Sequence, residues 1–305
     1  MRYATTTGLL VGALLGATAS VAPAQQLTSP YRTRWAVDAP ITGGLILTAG
    51  AGYYLMKHKR GLSPQEQAAL DKSTIPSFDR WAAGKYSAQA QQTSNFIVYP
   101  SLLLAPALLA LDGPVRNRYG QVLGLYVQSM ALTDAIFTLS AGTVYRYRPL
   151  LYDSDAPAEQ RGGRIATESF FAGHTAHTAT ATFFVAKIFH DFHPHSSAEP
   201  WVWGAAAAIP AIMACTRIEA GKHFLSDNVV GYVVGAASGI LVPQLHKVQR
   251  RGRTQPAVWG SAAGAATGIL LPQLTSRRHG VSFLLLQGQN VQGFAYGGVQ
   301  VVKQL

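Results

Sequence analysis

Six apolar stretches alternate with polar loops along most of this chain. Only 13% of the residues are charged, whereas ordinary soluble domains carry about 25%. Long apolar stretches with few charges are typical of helices that cross a lipid bilayer. The pattern therefore predicts an all-α, multi-pass membrane bundle of about six core helices. The stretches are residues 41–56, 96–111, 122–144, 169–189, 201–214 and 227–245.

The first 24 residues differ from the other apolar stretches. Arg2 is followed by a Gly, Leu, Val and Ala run, and the segment ends in small residues up to Ala24. This order is typical of a secretory signal peptide that is cleaved after Ala24, and a retained membrane anchor is the alternative.

The rest of the chain divides into an N-terminal segment, a helical core and a C-terminal region. The first apolar stretch is short for a span, which needs about 20 residues. The C-terminal region holds a basic linker, a short helix that repeats residues 235–245 at 264–274, and a tail whose alternating pattern indicates strands. The predicted boundaries are 1–24, 25–95, 96–245 and 246–305.

The charge of the chain indicates which molecules it contacts, and its cysteine count decides whether it can form a disulfide. The net charge is +11, and no Lys/Arg run is interleaved with aromatics, so we expect contact with anionic lipid and no nucleic acid. Cys215 is the single cysteine, so the chain has no intrachain disulfide.

Asp134 lies in an apolar helix and is expected to make a buried contact between helices.

Two polar clusters lie where apolar stretches end or begin. The first places Arg146 and Arg148 before Pro149, which stops the preceding helix. The second places Gly173 and His174 at the start of the next helix, where free backbone N–H groups favour an anion.

The third cluster has the most informative spacing. Arg217 precedes His223 by six residues, and Asp227 follows His223 by four. On a helix, His223 and Asp227 would share a face, so that the carboxylate orients the imidazole. The planar guanidinium of Arg217 suits a phosphate. Because successive helices alternate in direction, all three clusters should meet on one membrane face.

Together these clusters resemble the type 2 phosphatidic acid phosphatase superfamily, whose fold is shared with bacterial class A acid phosphatases and vanadium haloperoxidases. The family pattern is Lys, six residues, Arg-Pro; then Pro-Ser-Gly-His; then Ser-Arg, five residues, His, three residues, Asp. The corresponding residues here run from Ala141 to Pro149, over 171–174, and from Thr216 to Asp227. Seven of the eleven positions match.

The resemblance implies a role for each matching residue. His223 would attack phosphorus and form a phosphohistidine, and Asp227 would orient it. His174 would protonate the leaving oxygen and then activate water. The groups expected to bind phosphate oxygens are Arg148, Arg217 and the N–H of Gly173.

Four positions depart from the pattern: Ala141, Phe171, Ala172 and Thr216. Ala141 removes a cation, and Ala172 removes a hydroxyl that would donate to phosphate. Thr216 retains a hydroxyl and is expected at the phosphate. Arg146 or Lys222 is expected to supply the missing charge.

The resulting expectation is a membrane phosphatase that hydrolyses a phosphomonoester or pyrophosphate of a lipid. The alternatives are a weak or inactive relative that binds phospholipid head groups, and a vanadate-dependent haloperoxidase. No metal or other cofactor is expected, because His174 and His177 lack a third ligand. The expected partners are a phosphorylated lipid substrate and membrane lipid.

The expected location is the bacterial cell envelope, reached through the signal peptide. The basic residues 247–253 fall on the face opposite the site, which favours a periplasmic site by the positive-inside rule. A cleaved signal combined with a crossing by residues 41–56 would instead place the site in the cytoplasm.

Overall fold

The computed structural model describes residues 29–153, 156–248, 281–289 and 295–303. Within these ranges the chain is almost entirely helical. The long helices are α1 (Trp35–His58), α4 (Ala88–Leu111), α6 (Tyr119–Thr143), α8 (Gly173–Phe192), α9 (Glu199–Glu219) and α10 (Leu225–His246). The short helices are α2 (Pro64–Ala68), α3 (Ser77–Arg80), α5 (Gly113–Arg116) and α7 (Ala158–Arg161).

The C-terminal tail forms a two-stranded antiparallel sheet of β1 (Val281–Gln289) and β2 (Ala295–Lys303). The predicted all-α bundle with a strand-like tail is therefore confirmed. The predicted signal peptide, the repeated helix at 264–274 and most of the basic run at 247–253 lie outside the described residues.

Four of the long helices described here are long and apolar enough to cross a membrane: α4, α6, α9 and α10. Their apolar composition and their common bundle confirm a multi-pass membrane protein. The most buried helix, α8, packs against these four and occupies the centre of the bundle. Its buried face is built mostly from Ala and Thr, whose small side chains allow close helix packing.

The first apolar helix is longer than the sequence indicated. It begins at Trp35 and includes Asp38, whose carboxylate accepts from the N–H of Arg34 (2.6 Å). Helix α1 runs beside α6 in the same direction, because Gln121 contacts Tyr31 at one end and Gly52 packs on Thr138 near the other. The added residues include the polar Asp38, and α1 is not among the four described helices that are long and apolar enough to cross a membrane, so the prediction that this stretch is short for a span stands.

The contact between α8 and α10 depends on three glycines. Gly231, Gly235 and Gly239 recur every fourth residue, and each approaches a backbone carbonyl of α8 closely. Their partners are the carbonyls of Ala172, Ala176 and Thr180. The two helices are therefore parallel, and their N-terminal ends lie side by side.

A buried carboxylate, that of Asp191, connects several residues at the end of the bundle opposite the N-termini of α8 and α10. Asp191 accepts from the hydroxyl of Tyr31 (2.7 Å) and from the ammonium groups of Lys187 and Lys247 (each 2.5 Å). Tyr31 precedes α1, and Lys247 follows α10. Residues 29–34 and the start of α10 consequently lie at opposite ends of the bundle.

Candidate active site

A cavity of about 260 Å³ lies where α8 and α10 begin. Five residues that the sequence singled out line it: Arg148, Gly173, His174, Arg217 and His223. The structure thus brings together side chains from three separate chain segments. The cavity is also lined by the apolar or aromatic residues Tyr53, Met56, Phe137 and Ile165.

The segment that holds Arg148 is paired with a short 3₁₀ helix, Arg164–Thr167, by two backbone hydrogen bonds. The N–H of Arg148 donates to the carbonyl of Ala166 (3.0 Å), and that of Arg146 donates to Thr167 (3.1 Å). The Nε atom of Arg148 is buried and has no hydrogen-bond partner among the described residues. Burial lowers the pKa of Arg148 to about 10, so the guanidinium remains charged at neutral pH. A buried donor of this kind suits an anionic ligand.

Arg217 approaches the cavity from the last turn of α9 and is almost fully buried. Its Nη1 donates to the hydroxyl of Ser94 (3.1 Å), and its Nη2 lies 3.4 Å from Nε2 of His223. Like that of Arg148, its Nε is buried without a partner in the described part of the chain. The two unpaired Nε groups are consistent with a phosphate bound between the guanidinium groups.

The imidazole of His223 has a defined tautomer. Its Nδ1 lies 2.6 Å from the carbonyl oxygen of Ser169, which can only accept, so Nδ1 carries the proton. Burial, and then the positive charges of Arg217 and Arg148, hold the pKa of His223 well below its usual range. The ring is therefore neutral at pH 7, and Nε2 carries the lone pair that could act as a nucleophile. In this structure that lone pair accepts from Nη2 of Arg217 (3.4 Å).

The predicted direct contact between Asp227 and His223 is wrong. His223 precedes α10, which begins only at Leu225, so the two residues do not share a helical face. Asp227 instead caps the helix by accepting from the N–H of Phe224 (2.8 Å), and it accepts from the hydroxyl of Ser169 (2.6 Å). The carbonyl of Ser169 accepts from His223, so Ser169 lies between Asp227 and the imidazole.

His174 lies in the first turn of α8, where its Nε2 is 3.1 Å from the side-chain oxygen of Asn95. The preceding Gly173 packs beneath the ring of Phe137, and a Cβ atom there would lie 2.7 Å from that ring. A side chain at this cavity-lining position would therefore require the Phe137 ring to move. Ala172 is fully buried and donates its N–H to the carbonyl of Asp227 (3.1 Å).

Two predicted phosphate-binding residues do not line the cavity. Arg146 forms ion pairs with Asp79 (2.6 Å) and Asp227, and these buried carboxylates take up its charge. The hydroxyl of Thr216 donates to the carbonyl of Met213 (2.7 Å) within its own helix. Neighbouring helical residues point about 100° apart, so Thr216 turns away when Arg217 faces the cavity.

Lys222, the other residue expected to replace the missing charge, is buried beside the site. Its ammonium donates to the side-chain oxygen of Gln160 (2.6 Å). Burial, followed by the charges of Arg148 and Arg217, lowers the pKa of Lys222 to about 8. Lys222 is not among the cavity-lining residues.

Several residues of the site were not identified from the sequence. Ser94 and Asn95 contact Arg217 and His174 from the start of α4, and Glu168 lines the cavity. In the sequence, the feature that could have identified Ser94 and Asn95 is a polar Ser-Asn pair near the start of an apolar helix. Asp134 makes the predicted contact between helices, with its carboxylate 2.6 Å from Nε2 of His177, but its side chain is 47% exposed, so the prediction that this contact is buried was wrong. Among the described residues, no group of three or more His, Cys, Asp or Glu is arranged to hold a metal ion.

Comparisons with known proteins give one family match and one structural match. The model of the PAP2 superfamily matches residues 122–251. A solved structure titled as the first transmembrane PAP2 type phosphatidylglycerolphosphate phosphatase, from Bacillus subtilis, is 16% identical, with a TM-score of 0.42. That alignment covers 71% of this chain and 98% of the other chain. No curated protein matches the chain. The family match contains all three motifs from Arg148 to Asp227, and it confirms for residues 122–251 the resemblance to the PAP2 superfamily.

Proposed function

We propose that this chain is a membrane phosphatase that hydrolyses a phosphomonoester or pyrophosphate of a lipid. The main support is the cavity shared by Arg148, Arg217, His174 and His223, in which both guanidinium groups have a buried Nε with no partner in the described part of the chain. A phosphate would supply a negative charge next to the two guanidinium groups and acceptor oxygens for their buried N–H donors.

His223 is the proposed nucleophile. Its Nε2 lone pair attacks phosphorus, the N–P bond forms, and the bond from phosphorus to the leaving oxygen breaks. Asp227, through Ser169, keeps the Nδ1 proton directed at a carbonyl and stabilises the imidazole as it gains positive charge. The product of this step is a phosphohistidine and an alcohol, or a lipid monophosphate when the substrate is a pyrophosphate.

His174 is the proposed acid and base. It donates a proton to the leaving oxygen in the first step. In the second step it accepts a proton from water, the water oxygen bonds to phosphorus, and the N–P bond breaks to release inorganic phosphate. The contact with Asn95 fixes the orientation of its ring (3.1 Å).

The proposed phosphate-binding groups are Arg148, Arg217 and the N–H of Gly173 at the start of α8. They stabilise the charge that develops on the phosphate oxygens. Ala172 supplies no hydroxyl, and the loss of one such donor costs about 10²–10³ in rate elsewhere. We therefore expect a slower enzyme than one with the full motif.

A lipid substrate is supported by the surroundings of the cavity. Tyr53 and Phe137 line it on the side of α1 and α6, and four candidate membrane helices surround the centre of the bundle. An apolar tail can lie against these helices while its phosphate enters the cavity.

The test is phosphate release by the purified protein in detergent, with phosphatidic acid and with undecaprenyl pyrophosphate as substrates. His223→Asn should abolish release, whereas His195→Asn, the same change at an exposed histidine, should leave it unchanged. Release that survives His223→Asn contradicts the mechanism. No release from either lipid favours a binding protein, and vanadate-dependent bromide oxidation favours a peroxidase.

We also propose that the site faces the periplasm, on the basis of the basic residues that begin at Lys247 at the opposite end. In this fold a periplasmic site requires residues 29–34 to be cytoplasmic. Cleavage of a signal peptide after Ala24 takes place in the periplasm and would leave residues 29–34 on the periplasmic side. The expectations of a cleaved signal and a periplasmic site therefore exclude each other when α1 crosses the membrane.

Cysteine labelling in intact cells decides between them. With Cys215 replaced by Ser, a single cysteine is introduced at Arg60, at the site's end, or at Arg32, at the opposite end; both residues are exposed. A membrane-impermeant maleimide should label position 60 and not position 32. The reverse result places the site in the cytoplasm.

A further inference from the structure

Lys59 lies directly after α1, and only 7% of its surface is exposed. Its ammonium donates to three backbone carbonyls, those of Ala141 (2.8 Å), Val144 (2.6 Å) and Thr167 (2.9 Å). These bonds use all three of its protons. A buried charge is costly unless it is bonded in this way, so the three carbonyls fix the position of the ammonium.

Two of these carbonyls belong to the C-terminal end of α6. The last carbonyls of a helix lack intrahelical partners and form the negative end of its dipole. Ala141 is also the position at which the family pattern has Lys. The structure therefore brings a cation to this end of α6 from a different helix.

The third carbonyl connects Lys59 to the catalytic groups. Thr167 also accepts from the N–H of Arg146 (3.1 Å) in the pairing that holds Arg148. Two residues further on, the carbonyl of Ser169 accepts from Nδ1 of His223 (2.6 Å). One ammonium thus joins the end of α6 to the segment that positions both the arginine and the nucleophile.

We propose that Lys59 is a positioning residue of the phosphate site, a role that rests on the proposed function. It does not line the cavity. It acts by fixing residues 166–169 against α6, and the loss of its ammonium would leave three carbonyls buried without that donor. A role confined to capping α6 would instead affect only the stability of the fold.

Lys59→Met tests the proposal, because Met has a similar length and no charge. We expect kcat for phosphate release to fall about 10- to 100-fold, since displacement of catalytic groups by about 1 Å costs that order of rate. KM should change less, because Arg148 and Arg217 retain their charges. Lys85→Met is the matched control: it removes the same charge from the exposed ion pair with Glu219 (2.6 Å).

The thermal unfolding midpoint is measured for each variant, and kinetics are recorded well below it. A Lys59→Met protein whose kcat stays within about threefold of wild type overturns the proposal, whatever its stability. If that variant does not fold, Lys59→Arg provides the test. A planar guanidinium cannot reproduce three bonds from one tetrahedral ammonium, so kcat should still fall about tenfold, and a wild-type kcat contradicts the role.

The outcome is separate from that of the proposed function. A wild-type protein that releases no phosphate from any lipid refutes the phosphatase. An active wild type with an unaffected Lys59→Met variant refutes only the role of Lys59.

Discussion

The close contact between α8 and α10 makes Gly235→Ala a sensitive test of how the site is assembled. A Cβ atom at position 235 would lie 2.1 Å from the carbonyl oxygen of Ala176 and 2.8 Å from the Cβ of Ala179. Both distances are shorter than any ordinary contact, and the first involves backbone, which cannot rotate away. The two helices must therefore separate locally, by about 1 Å, because packed interiors leave no spare volume.

The expected change in the free energy of unfolding follows from two opposing effects. Overpacking of this kind costs about 1–3 kcal/mol. The better helix propensity of Ala over Gly returns about 1 kcal/mol. The effect on catalysis should be larger, because α8 carries His174 and α10 follows directly after His223. A displacement of about 1 Å between the two histidines can lower kcat by about 10²-fold.

The assay compares Gly235→Ala with Gly124→Ala in α6, where no described atom outside the local chain lies within 4 Å of the added Cβ. Gly124→Ala should leave kcat unchanged and the unfolding midpoint unchanged or higher. Gly235→Ala should lower both. Wild-type values for Gly235→Ala would refute the argument that this contact sets the distance between the histidines.

Three further predictions concern the site itself. Ser169→Ala removes the hydroxyl bonded to Asp227 (2.6 Å), so kcat should fall about tenfold while KM changes little; a change confined to KM would contradict this. Because burial and the charges of Arg217 and Arg148 hold the pKa of His223 well below its usual range, its imidazole should stay neutral from about pH 7.5 to 6 in an NMR titration of the ring signals; a titration centred at pH 6.5 or above would be inconsistent. Arg217→Lys should weaken inhibition by orthovanadate about 10²-fold, because an ammonium lacks the planar fork; equal inhibition would exclude a phosphate contact.

The sequence was sufficient to predict that four residues of the site lie together, because their proximity depends on topology. These residues are Arg148, His174, Arg217 and His223. Helices that cross the same thickness in turn must return their alternate ends to one face, so spacing along the chain sufficed. The bundle itself could be predicted for a similar reason, since apolar length decides which segments span a membrane.

The contacts within the site could not be predicted in the same way. Asp227 was assigned to His223 from a spacing of four, but the helix starts after His223, and helix boundaries are poorly determined by sequence. Arg146 was considered a substitute cation, yet its charge is paired with Asp79, which lies in α3 and is 67 residues earlier in the chain. Lys59 was overlooked because its three partners are carbonyls, which carry no side-chain signature.

The central claim is covalent catalysis by His223, and trapping the intermediate tests it most directly. Wild-type protein is mixed with lipid labelled with ³²P in the phosphate and quenched in alkali, which preserves phosphohistidine. Peptide mapping should place the label on His223, and no label should be retained by His223→Asn. Label on another residue, or equal labelling of His223→Asn, would contradict the account.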